Sequence, residues 1–333
     1  MAKLFPNTTL CDEGWKPMSG TTTRTRLEPV TLGGRMAEWL IGVADKATGR
    51  WGHRGYWHVV RLVGSLAAPE QDCIVELSTG GYFRFGLRDP YWARLVSAGY
   101  TYEPEIWFVL SHFRDRVDCV FLDCGANYGY WSAAVTGPAF GWRKAIAVEA
   151  SPSTYRRLLQ NRDLNDGRFD ALNLAVHSVS GRLASIHDAG VNHADAVISL
   201  GDGGAPHVET VSVDDLLARC LPGSVTSVVL KLDVEGAEVE ALRGASGLLR
   251  GDALIIYEDH GKDPNSAVTD YVVSNLDVSV YFVDDRQRVL SVTSAADAGR
   301  LKSNARRGYN FFAAVRRSSF DDRLKALAHQ AGS

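Results

Sequence analysis

Beyond about residue 100 the chain alternates short, wholly apolar runs with stretches of helical period, and that alternation points to a mostly parallel sheet covered by helices on both faces. Val117–Asp123, Lys144–Glu149, Val225–Asp233 and Ala253–Glu258 read as buried strands. Between them, Ser151-Pro152 supplies an N-cap followed by proline at the first helical position, and Tyr155, Leu158 and Leu159 give the stripe that packs on a sheet. A second helix follows Gly236 and carries Val239, Leu242, Leu248 and Leu249. Late strands at Val278–Val283, Val289–Val292 and Asn310–Val315 predict an antiparallel edge.

Ahead of this region the pattern is weaker. Residues 1–33 are rich in Thr, Gly and Pro and are expected to form a loose arm. Residues 34–100 form an α+β cap: two short helices between Met36 and Leu66, then the strands Cys73–Leu77 and Tyr82–Leu87 around Ser78-Thr79-Gly80-Gly81. The α/β domain runs over 101–318 and a tail over 319–333.

With 36 Lys and Arg against 39 Asp and Glu, the chain has a formal charge of -3 and no overall field to collect nucleic acid. Five scattered cysteines without a C-x-x-C pair argue against a disulfide scaffold or zinc knuckle and for a reducing cytoplasm. No stretch approaches the ~20 apolar residues of a membrane span, and the opening residues lack a signal core.

The chemistry concentrates at Asp123-Cys124-Gly125-Ala126-Asn127-Tyr128-Gly129, where a strand ends and a helix begins. Gly125 and Gly129 let backbone approach a ligand, and Glu149, at the end of the next strand, can accept hydrogen bonds from a ribose diol. The pair of acids suggests a nucleoside cofactor. Asn127 stands where G-x-G-x-x-G has the glycine that admits a pyrophosphate, while Asp123 can face an ammonium and a sulfonium. S-adenosylmethionine therefore fits better than a nicotinamide dinucleotide. An oxidoreductase and a non-catalytic nucleoside-binding module are the alternatives.

A second cluster lies in Lys231-Leu232-Asp233-Val234-Glu235-Gly236-Ala237-Glu238, where an apolar strand runs into three carboxylates. Carboxylates without matching cations raise one another's pKa and suit proton abstraction. The next strand ends Glu258-Asp259-His260, which predicts a histidine and two acids at the same sheet edge and makes His260 a candidate general base. Asp233, Glu258 and Asp259 could instead hold a divalent cation, but no spacing demands it and no metal ligand is assigned. Arg50-Trp51-Gly52-His53-Arg54-Gly55-Tyr56-Trp57-His58, with Tyr91-Trp92, interleaves cations and aromatic faces suited to an acceptor. Arg300, Lys302, Arg306, Arg307, Arg316 and Arg317 suggest a solvated basic face.

Taken together these blocks resemble the FkbM-type S-adenosylmethionine-dependent methyltransferases. Tyr102–Glu105, Asp123–Gly129, Val148–Pro152, Asn161 and Asn165, Val213–Leu217, Lys231–Glu238 and Asn310–Ala313 match in order, across roughly residues 100–315. Ala150 departs from the proline often found after the acid. The resemblance implies a Rossmann-like seven-stranded methyltransferase sheet and methyl transfer to a hydroxyl of a sugar, glycan or polyketide-like product. It further implies cofactor contacts at Glu103, Asp123, Gly125, Asn127, Tyr128, Gly129, Glu149, Ser151, Ala175 and Val176. For methyl transfer, the chain's own residues offer His260 or Asp233 to take the acceptor's proton and Glu235 to orient the acceptor through its hydroxyls. The oligomeric state is left open.

Overall fold

A computed structural model describes residues 22–49, 55–67, 71–97, 99–141, 144–187, 197–200, 207–221, 227–305 and 307–331. In chain order its strands are β1 (Thr22–Glu28), β2 (Asp72–Leu77), β3 (Tyr82–Gly86), β4 (Cys119–Cys124), β5 (Lys144–Val148), β6 (Asp170–Leu172), β7 (Ala175–Val176), β8 (Leu183–His187), β9 (Val197–Leu200), β10 (His207–Val211), β11 (Ser227–Leu232), β12 (Asp252–His260), β13 (Val278–Val283), β14 (Val289–Val292) and β15 (Gly308–Val315).

The main sheet has the order β14-β13-β15-β12-β11-β4-β5-β6. Strands β6, β5, β4, β11 and β12 are parallel, and β15 runs antiparallel between β12 and β13. The expected seven strands are present, and β14, antiparallel to β13, makes an eighth.

Every residue of β4 and β11 is buried because both faces of the sheet are covered. Alternate residues enter different cores. Cys119 and Phe121 of β4, Val229 of β11, and Leu254 and Ile256 of β12 join the core shared with residues 27–140. Val120, Leu122, Val228, Leu230, Leu232, Ile255 and Tyr257 join the core on the opposite face. This period of two decides which strand-end side chains can meet.

The N-terminal region packs on the first of these faces. Strands β1, β2 and β3 form an antiparallel sheet, and the helices Leu32–Gly49 and Tyr56–Gly64 lie between β1 and β2 in the chain. Two asparagines dock it to the helix Pro152–Leu164. Asn161 accepts from the Arg84 amide at 2.6 Å and donates to the Arg84 carbonyl at 2.9 Å, while Asn165 does the same for Tyr82 at 2.9 and 2.7 Å. Their amide groups thus satisfy the edge of β3 as a neighbouring strand would.

Two boundaries are corrected. Within the expected arm, residues 22–28 form β1, which pairs with β2 although its only buried apolar side chain is Leu27; backbone pairing, not apolar periodicity, holds it. The expected tail contains the helix Ser319–Ala331, whose Phe320 and Leu324 are fully buried against the sheet. Residues 1–21 of the arm and Arg50–Arg54 of the aromatic-cation segment lie outside the described residues, as does Arg306.

Candidate active site

At the carboxyl ends of the parallel strands lies a hollow of ≈ 780 Å³, open mouth included. It sits beside β4, where the chain leaves β4 toward β5 and leaves the neighbouring β11 toward β12 in the opposite direction, the position in which open parallel sheets bind ligands. Asp123, Gly125, Asn127, Glu149, Ser151, Val176, Asp233 and Glu235 line it, together with Tyr91, Trp92, Tyr102, Tyr130, Trp131, Leu174, Ile186 and Lys231.

The loop after β4 is shaped by three left-handed residues: Gly125 (φ 78°), Asn127 (φ 53°) and Gly129 (φ 85°). Gly125 and Ala126 donate their amides to the Val148 carbonyl, both at 2.9 Å, so those donors hold β5 and not a ligand. A Cβ on Gly125 would lie 1.7 Å from the Asp233 carbonyl oxygen, and one on Gly129 would lie 2.5 Å from Leu158. The expected close approach is therefore made by protein: each glycine admits a neighbouring segment. Asn127 tolerates the left-handed region because its own Oδ1 accepts from the Tyr128 amide at 2.8 Å and from Trp92 Nε1 at 3.2 Å.

Glu149 accepts from the Asn127 amide at 2.9 Å and the Ser151 amide at 2.8 Å. Burial pushes its carboxyl up to about 7 despite those bonds. Each oxygen retains a further lone pair for a diol. Ser151 caps the helix Pro152–Leu164 by accepting from the Thr154 amide. Asp123 is buried and takes the Ser132 amide at 3.1 Å and hydroxyl at 2.8 Å; burial raises its pKa.

The cation missing from the sequence argument is Lys231. It stands directly beside Asp123 in the β11–β4 register, and its Nζ lies 2.8 Å from Asp233. Burial alone would discharge both groups. Instead their mutual attraction holds Asp233 below the usual carboxylate range and Lys231 well above the usual amine range, with Glu103 and Asp123 adding to the latter. Asp233 is thus a stable carboxylate, and the expectation of unmatched carboxylates at this position is corrected.

On β12 the period of two separates the acids. Glu258 and His260 share the face of Leu254 and Ile256, whereas Asp259 points to the other side, bound to Lys302 at 2.8 Å and to the Thr269 hydroxyl at 2.7 Å. Asp259 is structural, and Lys302, expected on a solvated face, is buried as its partner. Glu258 is raised by burial and by Asp233 beside it. Its space exists because residue 308 on β15 is glycine; a Cβ there would fall 1.1 Å from Glu258 Oε1. His260 Nδ1 lies 3.9 Å from Glu258 and Nε2 lies 3.9 Å from Glu235.

Glu103, just before the helix Pro104–Ser111, is pushed to about 7 chiefly by burial. It accepts from Trp131 Nε1 at 2.5 Å and Asn310 Nδ2 at 3.1 Å. Asn127 and Glu235, which both line the hollow, are non-glycine residues with φ of 53° and 51°, and such strain at one hollow is characteristic of sites held for function. Tyr128, Gly129, Ala175, Glu103 and His260 do not line the hollow: Gly129 starts the helix Tyr130–Val135, and Ala175 is buried in β7. Leu174, Ile186, Tyr102, Tyr130 and Trp131 line it without having been singled out.

Residues 123–285 match the family described as methyltransferase FkbM domain. This part of the chain is an FkbM methyltransferase domain. The family points to S-adenosylmethionine as cofactor. The hexuronic acid methyltransferase AglP of Haloferax volcanii is 30% identical over 149 residues, which is 44% of this chain and 59% of that protein. The chain thus spans less than two thirds of that curated relative. The crystal structure of an FkbM methyltransferase from Methylobacillus flagellatus KT aligns with a TM-score of 0.39 at 15% identity, over 68% of this chain and 54% of that one. An O-methyltransferase from Bacillus cereus in complex with SAH aligns with a TM-score of 0.34 at 11% identity, over 63% and 79%. Among the described residues, no helix is long and apolar enough to cross a membrane.

Proposed function

We propose that the chain transfers a methyl group from S-adenosylmethionine to a hydroxyl oxygen of a sugar, in the cytoplasm. The observation that carries this reading is that Glu149 and Asp233, at the ends of the two strands flanking β4, line one hollow. The hollow's residues fit the cofactor. Glu149 suits the ribose diol, the Leu174, Val176 and Ile186 side chains form an apolar shelf for a flat base, and Asp123 and Asp233 complement positive charge. The free thiols of Cys73, Cys119, Cys124 and Cys220 are consistent with a reducing compartment. The uronic acid in the relative's name supports the sugar.

S-adenosylmethionine, when bound, supplies a methyl group activated as a sulfonium. The protein's part is to align the acceptor and remove one proton. His260 is the base of this proposal: its imidazole lies between Glu258 and Glu235, 3.9 Å from each, on the sheet edge that carries Asp233. Glu235 orients the acceptor through its hydroxyls. Asp233 is the weaker base because Lys231 holds its proton affinity down.

The test is incubation with S-adenosylmethionine and a panel of hexuronic acids, neutral hexoses and their glycosides, with mass spectrometry for a product heavier by one methylene. An alkali-stable product marks a hydroxyl ether and supports the reading. An alkali-labile product marks a carboxylate ester and removes the need for His260, and no product with any sugar rejects a sugar acceptor.

A further inference from the structure

A second cleft of ≈ 1030 Å³ adjoins the first. Its walls are the β13–β14 hairpin with Phe282, Asp284, Asp285, Gln287 and Arg288, then Arg300, Ser303 and Arg307, and Glu105, Tyr309 and Asn310. One layer of side chains separates the two spaces. Asn310 Nδ2 donates to Glu105 at 2.9 Å on the cleft side and to Glu103 at 3.1 Å, and Glu103 in turn holds Trp131 of the first hollow. Asn310 is also paired in register with Glu258, next to His260.

The lining chemistry is specific in kind. Three guanidinium groups (Arg288, Arg300, Arg307) face three carboxylates (Glu105, Asp284, Asp285), so the cleft carries no net charge with which to recruit an ion. What it offers is a dense set of planar donors and acceptors beside the aromatic residues Phe282 and Tyr309, which suits a polyhydroxylated ring. Part of the set is pre-built. Asp284 accepts from the Arg286 and Arg288 amides at 2.9 Å each and from Arg288 Nε at 2.8 Å, and Gln287 holds a left-handed backbone (φ 59°) at the hairpin tip. The other part is loosely paired: Arg307 lies 3.9 Å from Asp285, with both side chains at least half exposed.

We propose that this cleft is an acceptor subsite for a second sugar unit, so that the preferred substrate is an oligosaccharide or glycoside and not a monosaccharide. The inference rests on the sugar-methylation reading and deepens it. A chain lying across Asn310 places one unit at His260 and Glu235 and its neighbour against Arg307 and Gln287.

The experiment compares wild type with Arg307→Ala and Gln287→Ala, using glucuronic acid and a set of glucuronic acid–glucose disaccharides, by steady-state methyl transfer and by calorimetric binding without donor. Wild type is expected to show kcat/KM at least tenfold higher for one disaccharide than for the monosaccharide. Arg307→Ala should remove that advantage through KM while leaving monosaccharide turnover and kcat unchanged. Equal turnover of both sugars by wild type, or variants that slow both equally, would overturn the subsite. Disaccharide binding that needs Arg307 without any methyl transfer would keep the subsite and reject the chemistry instead.

Discussion

Lys231 and Asp233 sit two residues apart at the end of β11, on the same face, with Nζ and carboxylate 2.8 Å apart and the ammonium almost wholly buried. A buried pair of this kind contributes little net stability as a pair, but removing one member leaves an uncompensated charge. Lys231→Met is expected to destabilise the fold by about 3–5 kcal/mol in urea unfolding. Adding Asp233→Asn should recover a large part of that loss. Additive losses would mean that the pair is not the source of the effect.

The buried acids Glu103 and Glu149 set a pH dependence. Both have folded pKa values of about 7, above the ordinary carboxylate value, so between that value and pH 7 the folded state binds more protons than the unfolded one. Stability of the ligand-free protein therefore falls as pH rises through this window. Asp233, which is lowered, acts in the opposite sense only at more acidic pH. Thermal melts should show a lower Tm at pH 8 than at pH 5.5, with a shallower decline in Glu149→Gln. An unchanged slope in that variant would place the titration elsewhere.

The two loop glycines should respond differently. Gly125→Ala drives a methyl group into the backbone of residue 233 at a positive φ, and a loss of about 3 kcal/mol or more is expected. Gly129→Ala meets the movable end of Leu158, so only the left-handed penalty of about 1–2 kcal/mol is expected. Denaturant midpoints decide; equal losses would contradict the close approach at Asp233.

Asn161→Ala would strip the Arg84 amide and carbonyl of their partner and uncouple β3 from the helix beneath it. A cost of about 1–3 kcal/mol is expected for the groups left unpaired. Faster amide exchange at residues 82–86 would accompany it, and unchanged exchange there would show that the asparagines are not what holds the edge.

Much of this site was legible in advance because Asp123 and Glu149 terminate apolar runs, where the turn to the next helix must expose them. What the sequence showed less plainly has physical causes. Lys231 lies inside an otherwise apolar strand, and only its place beside Asp123 reveals that it neutralises the cluster. Glu258, Asp259 and His260 look like one group until strand periodicity sends Asp259 to Lys302. Leu174, Ile186 and Tyr102 come from segments whose convergence no local pattern encodes. β1 was missed since pairing with β2, rather than apolar alternation, makes it a strand.

The central claim is that the hollow beside Asp123 and Glu149 holds a methyl donor, and calorimetric titration with S-adenosylhomocysteine tests it most directly. One equivalent should bind per chain, and Glu149→Ala should weaken it at least tenfold, about 1.4 kcal/mol. A folded protein that gives no heat with this ligand, or that binds it equally well without the Glu149 carboxylate, would contradict the account.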